Sequence, residues 1–506
     1  MYNNSNKDDK SLNTLHTLNK IPVKSSDKDT IPMRIEFIKN LLHGTELNPI
    51  VNLDETATEN FLGGNNDGES GDSQDTRVVL KKRILDFKNV ITQIGGKLKY
   101  IKSGTTGHTF KGIALEGDNN FEYAVKVVAY PKKEKYGSIN DIRRPENAEL
   151  KMIKLLSYFI INRQTPHLVI PFGTFNTSIE HFVNLVKFDK IDEKNERYKD
   201  FVDRYYDGDF SSTVSVLISE WANKGDLLDF FRNNYTLFTP KHWKTLIFQI
   251  LSVLAIIQHK YPSFRHNDMK ANNILIHKID ITKEFHRYVV VRNHYRVPNV
   301  GYQIKLWDFD FACIPGIVDN IKVESKWTKK INVTPEQNRY YDIHYFFNTL
   351  IRKGFFPQIL TDSNIPLELK QFIDRILPYK YRADPLFVHD KGRILINDEY
   401  LTPEQILKND PYFEEFRINK TIKEQVINKL LTVPSQITSE SIDINTNTYK
   451  LIKDDKPEKK HKHIRMKTSS NIDILKLLGE STQNKESSNR NNLDILDLLN
   501  NKTKKK

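Results

Sequence analysis

Apolar residues are spread unevenly along the chain. From Met1 to about Asp75 the positions are filled mainly by Asn, Asp, Ser, Thr and Lys, ending in Leu62-Gly63-Gly64-Asn65-Asn66-Asp67-Gly68-Glu69-Ser70-Gly71. Such a stretch buries too little apolar surface to offset chain entropy, so residues 1–78 read as a disordered polar arm with one short amphipathic helix at Arg34 to Leu42. From about Val79 apolar residues recur through Ile84, Phe87, Val90, Ile91 and Ile94. Alternation at Leu98-Lys99-Tyr100-Ile101 and at Tyr123-Ala124-Val125-Lys126-Val127-Val128 predicts a small antiparallel sheet, with a further strand at Val214 to Ile218. Helical spacing appears first at Glu146 to Phe159. It then dominates through Leu227 to Asn233, Lys241 to His259 and Asp342 to Ile351.

A strand-rich part followed by a helix-rich part predicts an α+β fold of two packed lobes, 79–218 and 219–436. Two stretches read as insertions that form long surface loops: Asn176 to Thr213, which is charged, and Ile279 to Tyr302, which is basic and aromatic. Residues 437–506 form a polar, basic tail, read as a second disordered extension. It contains one short repeat, Asn471 to Leu478 and Asn492 to Leu499, whose apolar helical faces are too small to fold alone. Either they dock on a protein partner or they are idle helical propensity.

Composition narrows the class. The longest apolar stretch, Leu246 to Ile257, is interrupted by Gln249 and is shorter than the roughly 20 residues a bilayer requires, so it reads as a buried helix and no transmembrane segment is expected. Met1 to Lys10 lacks the apolar core of a secretory signal. A single cysteine, Cys313, excludes an internal disulfide and a cysteine-rich zinc site, and fits a reducing, intracellular compartment. Its thiol reads as buried and inert. The net charge of +13 would favour acidic partners, but much of it lies in Lys456 to Lys467 and Lys502 to Lys506, without interleaved aromatics. Contact of this tail with nucleic acid or anionic lipid stands beside the plainer reading of a solvated basic tail.

The chemistry is concentrated in two segments. Ser263-Phe264-Arg265-His266-Asn267-Asp268-Met269-Lys270-Ala271-Asn272-Asn273-Ile274-Leu275-Ile276 puts an aspartate five residues before an asparagine, just ahead of an apolar strand. A second strand, Ile304-Lys305-Leu306-Trp307, ends in Asp308-Phe309-Asp310. A tight loop can aim Asp268 at a hydroxyl while the Asn273 amide oxygen and the Asp308 carboxylate reach a divalent metal.

These segments resemble the catalytic loop, H-R-D-L-K-x-x-N, and the metal loop, D-F-G, of the protein-kinase superfamily. Upstream, Ile101-Lys102-Ser103-Gly104-Thr105-Thr106-Gly107-His108-Thr109 is similar to the kinase glycine-rich loop, with Lys102 in place of the first glycine. There Gly104 and Gly107 would let backbone amides approach phosphate. Ala124-Val125-Lys126 is similar to V-A-I-K, whose lysine binds the α and β phosphates; its partner would be Glu149, with Glu146 as the alternative. Val216 to Leu227 resembles the hinge, which implies adenine contacts from the backbone of Glu220 to Ala222, a ribose contact from Asp226, and Ser219 as a small gatekeeper. Thr334-Pro335-Glu336 resembles the end of an activation segment. Asp342 would then brace the catalytic loop.

The resemblance implies a two-lobed kinase fold and in-line transfer of the γ-phosphate of ATP, with Mg²⁺, or Mn²⁺, as the metal. Asp268 would position the acceptor, and Lys270, two residues on, goes with serine/threonine specificity in proteins. Two departures stand out. Asn267 replaces the arginine that in many kinases pairs with a phosphorylated activation loop, so activation at Thr328 or Ser325 is not implied, and Asp310 replaces the glycine of D-F-G. A small-molecule kinase of the choline or aminoglycoside type is the alternative enzyme, and a kinase-shaped scaffold the alternative without turnover. Asn-, Ile- and Lys-rich composition, N-D-M-K-A-N-N-I-L and D-F-D together resemble divergent kinases of large cytoplasmic DNA viruses, which implies host cytoplasm or the virion.

Overall fold

The computed structural model describes residues 30–54, 75–104, 106–116, 119–186 and 194–418. Thr105, both tail repeats and the basic tail lie outside them. Helices α1 (Ile31–Leu42), α2 (Thr76–Val79) and α3 (Phe87–Gln93) lead into strands β1 (Gly96–Ser103), β2 (Gly107–Glu116) and β3 (Asn119–Pro131). After α4 (Lys133–Tyr136) and α5 (Pro145–Ile161) come β4 (Pro171–Ser178), α6 (Glu196–Tyr206) and β5 (Phe210–Glu220). The strands pair antiparallel in the order β1-β2-β3-β5-β4. On β3 the period of two puts Tyr123, Val125, Val127 and Ala129 in the core and sends Lys126 to the opposite face. Helix α5 opens with Pro145 in its first turn, where the missing N–H is no loss, and is buried along nearly its whole length.

The second part is mainly helical: α7 (Leu227–Asn234), α8 (Pro240–Lys260), α9 (Lys326–Lys329), α10 (Tyr341–Leu350), α11 (Gln358–Thr361), α12 (Leu367–Ile376) and α13 (Pro403–Asn409). Between α8 and α9 lie β6 (Ile274–Lys278), β7 (Phe285–Val290), β8 (Asn293–Pro298) and β9 (Tyr302–Leu306). Helix α8 starts at a capping box in which Thr239 and His242 satisfy each other's end of the first turn. It is buried from Trp243 to Gln258, so the longest apolar stretch is the axis of this lobe's core. Among the described residues no helix is long and apolar enough to cross a membrane. Strands β6 and β9 pair, holding Ile274 opposite Leu306 and so bringing the two chemistry-bearing segments side by side.

Three expectations change. The polar arm is not wholly unstructured. Ile31, Ile35 and Ile38 line one face of α1, and burial continues through Leu42, Leu47, Ile50, Val51 and Leu53. Leu47 rests on Gly173 of β4, where a Cβ would come within 2.6 Å of its Cγ. The stretch 176–213 is likewise no plain loop, since α6 buries Tyr198 and Phe201 over the sheet and β5 begins as early as Phe210. The stretch 279–302 folds as the β7–β8 hairpin, with Tyr288 and Tyr295 packed edge-on against Phe248 of α8. In each case sparse apolar residues suffice because a preformed surface receives them, which a local count of hydrophobicity cannot register.

Candidate active site

Asp268 lies in the loop between α8 and β6. Its carboxylate is enclosed by donors: Lys270 Nζ reaches Oδ2 at 2.9 Å and Asn273 Nδ2 reaches the same oxygen at 3.0 Å. Asn273 Nδ2 also donates to the Asp268 carbonyl at 2.9 Å, which leaves the amide oxygen as the atom able to meet a cation. The loop is held from below by Asp342 of α10, whose carboxylate accepts from the backbone of His266 at 2.8 Å and of Asn267 at 2.9 Å. Burial pushes the Asp342 carboxyl up, against the pull of the His266 and Asn267 amides and of nearby positive groups.

On the other strand of the pair, Asp308 accepts from Lys126 Nζ at 3.1 Å, and Lys126 also meets Glu149 Oε1 of α5 at 2.6 Å. Glu149, rather than Glu146, is therefore the acid that engages Lys126; Glu146 pairs with Arg144. Burial works against the Lys126 ammonium, but Glu149 and Asp308 outweigh it and raise its affinity for the proton. Burial pushes Glu149 up to about 7 against the opposing pull of Lys126. For Asp308, burial is outweighed by Lys126, so its carboxyl sits below the ordinary value. The two halves meet where the Trp307 amide donates to the Asn273 carbonyl at 3.3 Å and His266 Nε2 bonds the Trp307 carbonyl at 3.0 Å. Asn267 and Asp308, at φ 62° and 64°, both occupy the left-handed region without being glycine, a strain that neighbouring bonds must hold in place.

The other sequence candidates are distributed around this cleft. Gly104 and Gly107 close the β1–β2 turn through a 2.7 Å bond from Gly104 N to Gly107 O. A Cβ on Gly107 would lie 1.8 Å from the Val127 carbonyl, so close strand packing by itself requires glycine there. The side chains of Ser103 and His108 turn away from the cleft. They bond each other at 2.9 Å, and the His108 ring lies 4.3 Å from that of Phe201 on α6. Ile101 is exposed at the rim, Lys102 pairs with Thr109 in register, and Thr109 in turn faces Lys126 across β2 and β3. Thr106 carries its carbonyl bond to Ala129 N at 2.7 Å.

At the hinge, Ala222 is buried. The Glu220 side chain points away from the cleft to Arg34 of α1. Asp226 caps α7 through the Asp229 amide at 3.0 Å, so one carboxylate oxygen is already engaged.

A profile of the poxvirus serine/threonine protein kinase family matches residues 131–384. The chain belongs to that family. A protein of Acanthamoeba polyphaga mimivirus named as a serine/threonine-protein kinase is 48% identical over 414 residues, 81% of this chain and 85% of the relative. Serine/threonine-protein kinase 2 of Swinepox virus is 34% identical over 132 residues, and that of Monkeypox virus 32% over 130, each spanning 25% of this chain and 27% of the relative. The chain is thus a kinase by family, with the general family requirement for ATP and a divalent metal, and with protein as the acceptor class.

Within this kinase the two departures find partners. Asn267 Nδ2 donates to the Phe311 carbonyl at 3.1 Å, tying the Asp268 loop to the segment after Asp308. Asp310 pairs with Lys322, whose ammonium also lies 3.7 Å from the Phe311 ring centroid. Arg265, one residue ahead of the loop, binds Thr334 Oγ1 and the Glu336 carbonyl at 3.0 Å each. Thr328, a site considered for phosphorylation, is fully buried, and its hydroxyl lies 2.7 Å from the Ser325 carbonyl and 2.9 Å from that of Val323, the two acceptors within reach of its one proton. Burial pushes the Cys313 thiol up to about 12. Sequence reasoning missed Arg393, which meets Asp268 from 125 residues downstream and belongs to no recognisable motif.

Proposed function

We propose that this chain transfers the γ-phosphate of ATP to serine or threonine hydroxyls of proteins, with Mg²⁺, or Mn²⁺, as the metal. The observation that carries the proposal is the convergence of Lys126, paired with both Glu149 and Asp308, on the loop that holds Asp268, Lys270 and Asn273. Asp268 orients the acceptor hydroxyl and takes its proton as the oxygen attacks phosphorus. Lys126, fixed by Glu149, clamps the α and β phosphates. Lys270 neutralises charge on the phosphoryl group in flight. The Asn273 amide oxygen and the Asp308 carboxylate form a hard oxygen pair that suits a divalent ion, which when bound would neutralise the phosphates. The strand-turn of 101–109 covers the nucleotide, the backbone from Glu220 to Ala222 receives adenine, and Asp226 is offered to ribose.

Kinship with viral kinases supports action in host cytoplasm or packaging in the virion, and the tail repeats at 471–478 and 492–499 suit a protein partner. The test is transfer of labelled phosphate from ATP with Mg²⁺ to a generic basic protein and to choline, by wild type and Asp308→Ala, with phosphosites mapped by mass spectrometry. Label on serine or threonine, lost in the variant, is expected. Label on choline alone, or none with either metal, would overturn the proposal.

A further inference from the structure

We infer that Arg393 is a positioning residue for phosphoryl transfer, acting through the Asp268 carboxylate; the inference rests on the kinase function proposed above. Arg393 lies beyond the 131–384 match to the family and nothing in its own neighbourhood of sequence marks it. Its Nη2 donates to Asp268 Oδ1 at 2.5 Å, while Nη1 donates to the Asn267 carbonyl and, at 3.2 Å, to Tyr341 Oη. The guanidinium lies 3.9 Å from the ring centroid of Tyr345, and the residue is 6% exposed. An arginine so enclosed has one conformation to offer.

The backbone that carries it is also fixed. Asn348 of α10 donates to the Gly392 carbonyl at 3.0 Å, and Asn332, ahead of α10, donates to the Ile394 carbonyl at 3.0 Å. Arg393 is therefore anchored to the same helix that braces the catalytic loop through Asp342.

Asp268 has two oxygens with different surroundings. Oδ2 meets Lys270 and Asn273, the residues placed toward the nucleotide, whereas Oδ1 meets Arg393. A carboxylate held on one oxygen by a rigid charged donor cannot rotate to exchange its faces. The same guanidinium grips the carbonyl of Asn267, whose left-handed backbone sets the direction of the loop into Asp268. With Asn267 standing where many kinases have arginine, the cation behind this loop comes from a distant segment and is present in the unmodified protein.

The full chain is compared with Arg393→Gln, which keeps length and a donor but no charge, and Arg393→Lys, which keeps the charge without the fork. Expected is a fall in kcat of about 10- to 100-fold for Arg393→Gln, measured below both melting transitions, with KM for ATP near wild type; the thermal midpoint falls as well, because a buried carboxylate loses its cation. Arg393→Lys should recover part of the loss. A merely structural arginine would lower the midpoint while leaving kcat per folded molecule unchanged, and would show no such rescue. Wild-type or raised kcat in Arg393→Gln, or no gain from lysine over glutamine, overturns the inference while an active wild type leaves the kinase function standing. Absence of transfer by the wild type overturns both.

Discussion

Arg34 Nε of α1 meets Glu220 Oε1 at 2.6 Å, and its Nη2 meets Oε2 at 2.7 Å, so the segment ahead of the sheet grips the far end of β5 with a two-pronged pair. The same guanidinium donates to the carbonyls of Pro166 and Leu168, and Glu220 also accepts from the Ile170 amide at 2.7 Å. This pair ties α1 to the stretch between the lobes from the side opposite the cleft. Burial alone would raise the Glu220 carboxyl, but Arg34 outweighs it and lowers the value.

Arg34→Ala leaves that carboxylate buried without its cation and should cost about 3 kcal/mol of stability at neutral pH. Because the folded-state value is depressed, the pair's contribution is present above the ordinary carboxylate value and fades as pH falls through the lowered one. Urea unfolding of both proteins reads the difference. A loss below about 1 kcal/mol would show that α1 does not brace the hinge.

Removing the groups proposed to react or to bind phosphate, one at a time, should separate chemistry from folding. Lys126→Met, Asp268→Asn and Asp308→Asn are each expected to lower transfer by about 100-fold or more while melting as cooperatively as the wild type. Steady-state rates with matched melting curves decide it. Retention of full rate by any one variant would remove that residue from the mechanism.

Glu149 gives the site a dependence on acid. Burial has moved its carboxyl up to about 7, so on acidification through that value it takes a proton and releases Lys126. A raised carboxyl favours the folded state below its ordinary value and ceases to do so as pH rises through the shifted one, so this protonation impairs activity without unfolding the protein. The transfer rate should fall on the acid side of about 7, and Glu149→Gln should be slow with that limb flattened. A wild-type rate unchanged from about pH 8 to about pH 6 would count against the pairing.

Activation should not depend on phosphate in the activation segment. Thr328 is enclosed, and Arg265 already binds Thr334 and the Glu336 carbonyl, while Asn267 offers no cation to a phosphate. Protein treated with phosphatase should keep its rate within about twofold, and mass spectrometry of active protein should find Thr328 unmodified. A large drop after treatment would require a phosphate-binding cation that these contacts do not provide.

The pieces legible in the sequence are those whose chemistry is local. Asp268 and Asn273 sit five residues apart in one loop, Lys126 lies on an alternating strand, and Asp308 ends another, so spacing and neighbours were enough to nominate them. The α+β order of strands and helices was readable for the same reason, since periodicity is set by backbone geometry. What spacing could not express is which distant segment completes each charge. The choice of Glu149 over Glu146, the turn of Ser103 and His108 toward α6, the docking of α1 through Arg34, and the arrival of Arg393 at Asp268 all depend on tertiary packing. A buried ion pair forms where the folded chain excludes water and brings opposite charges together, and residues 125 apart carry no local mark of that meeting. The sequence alone determined which residues stand as candidates for the chemistry; the tertiary structure decided what holds them in place.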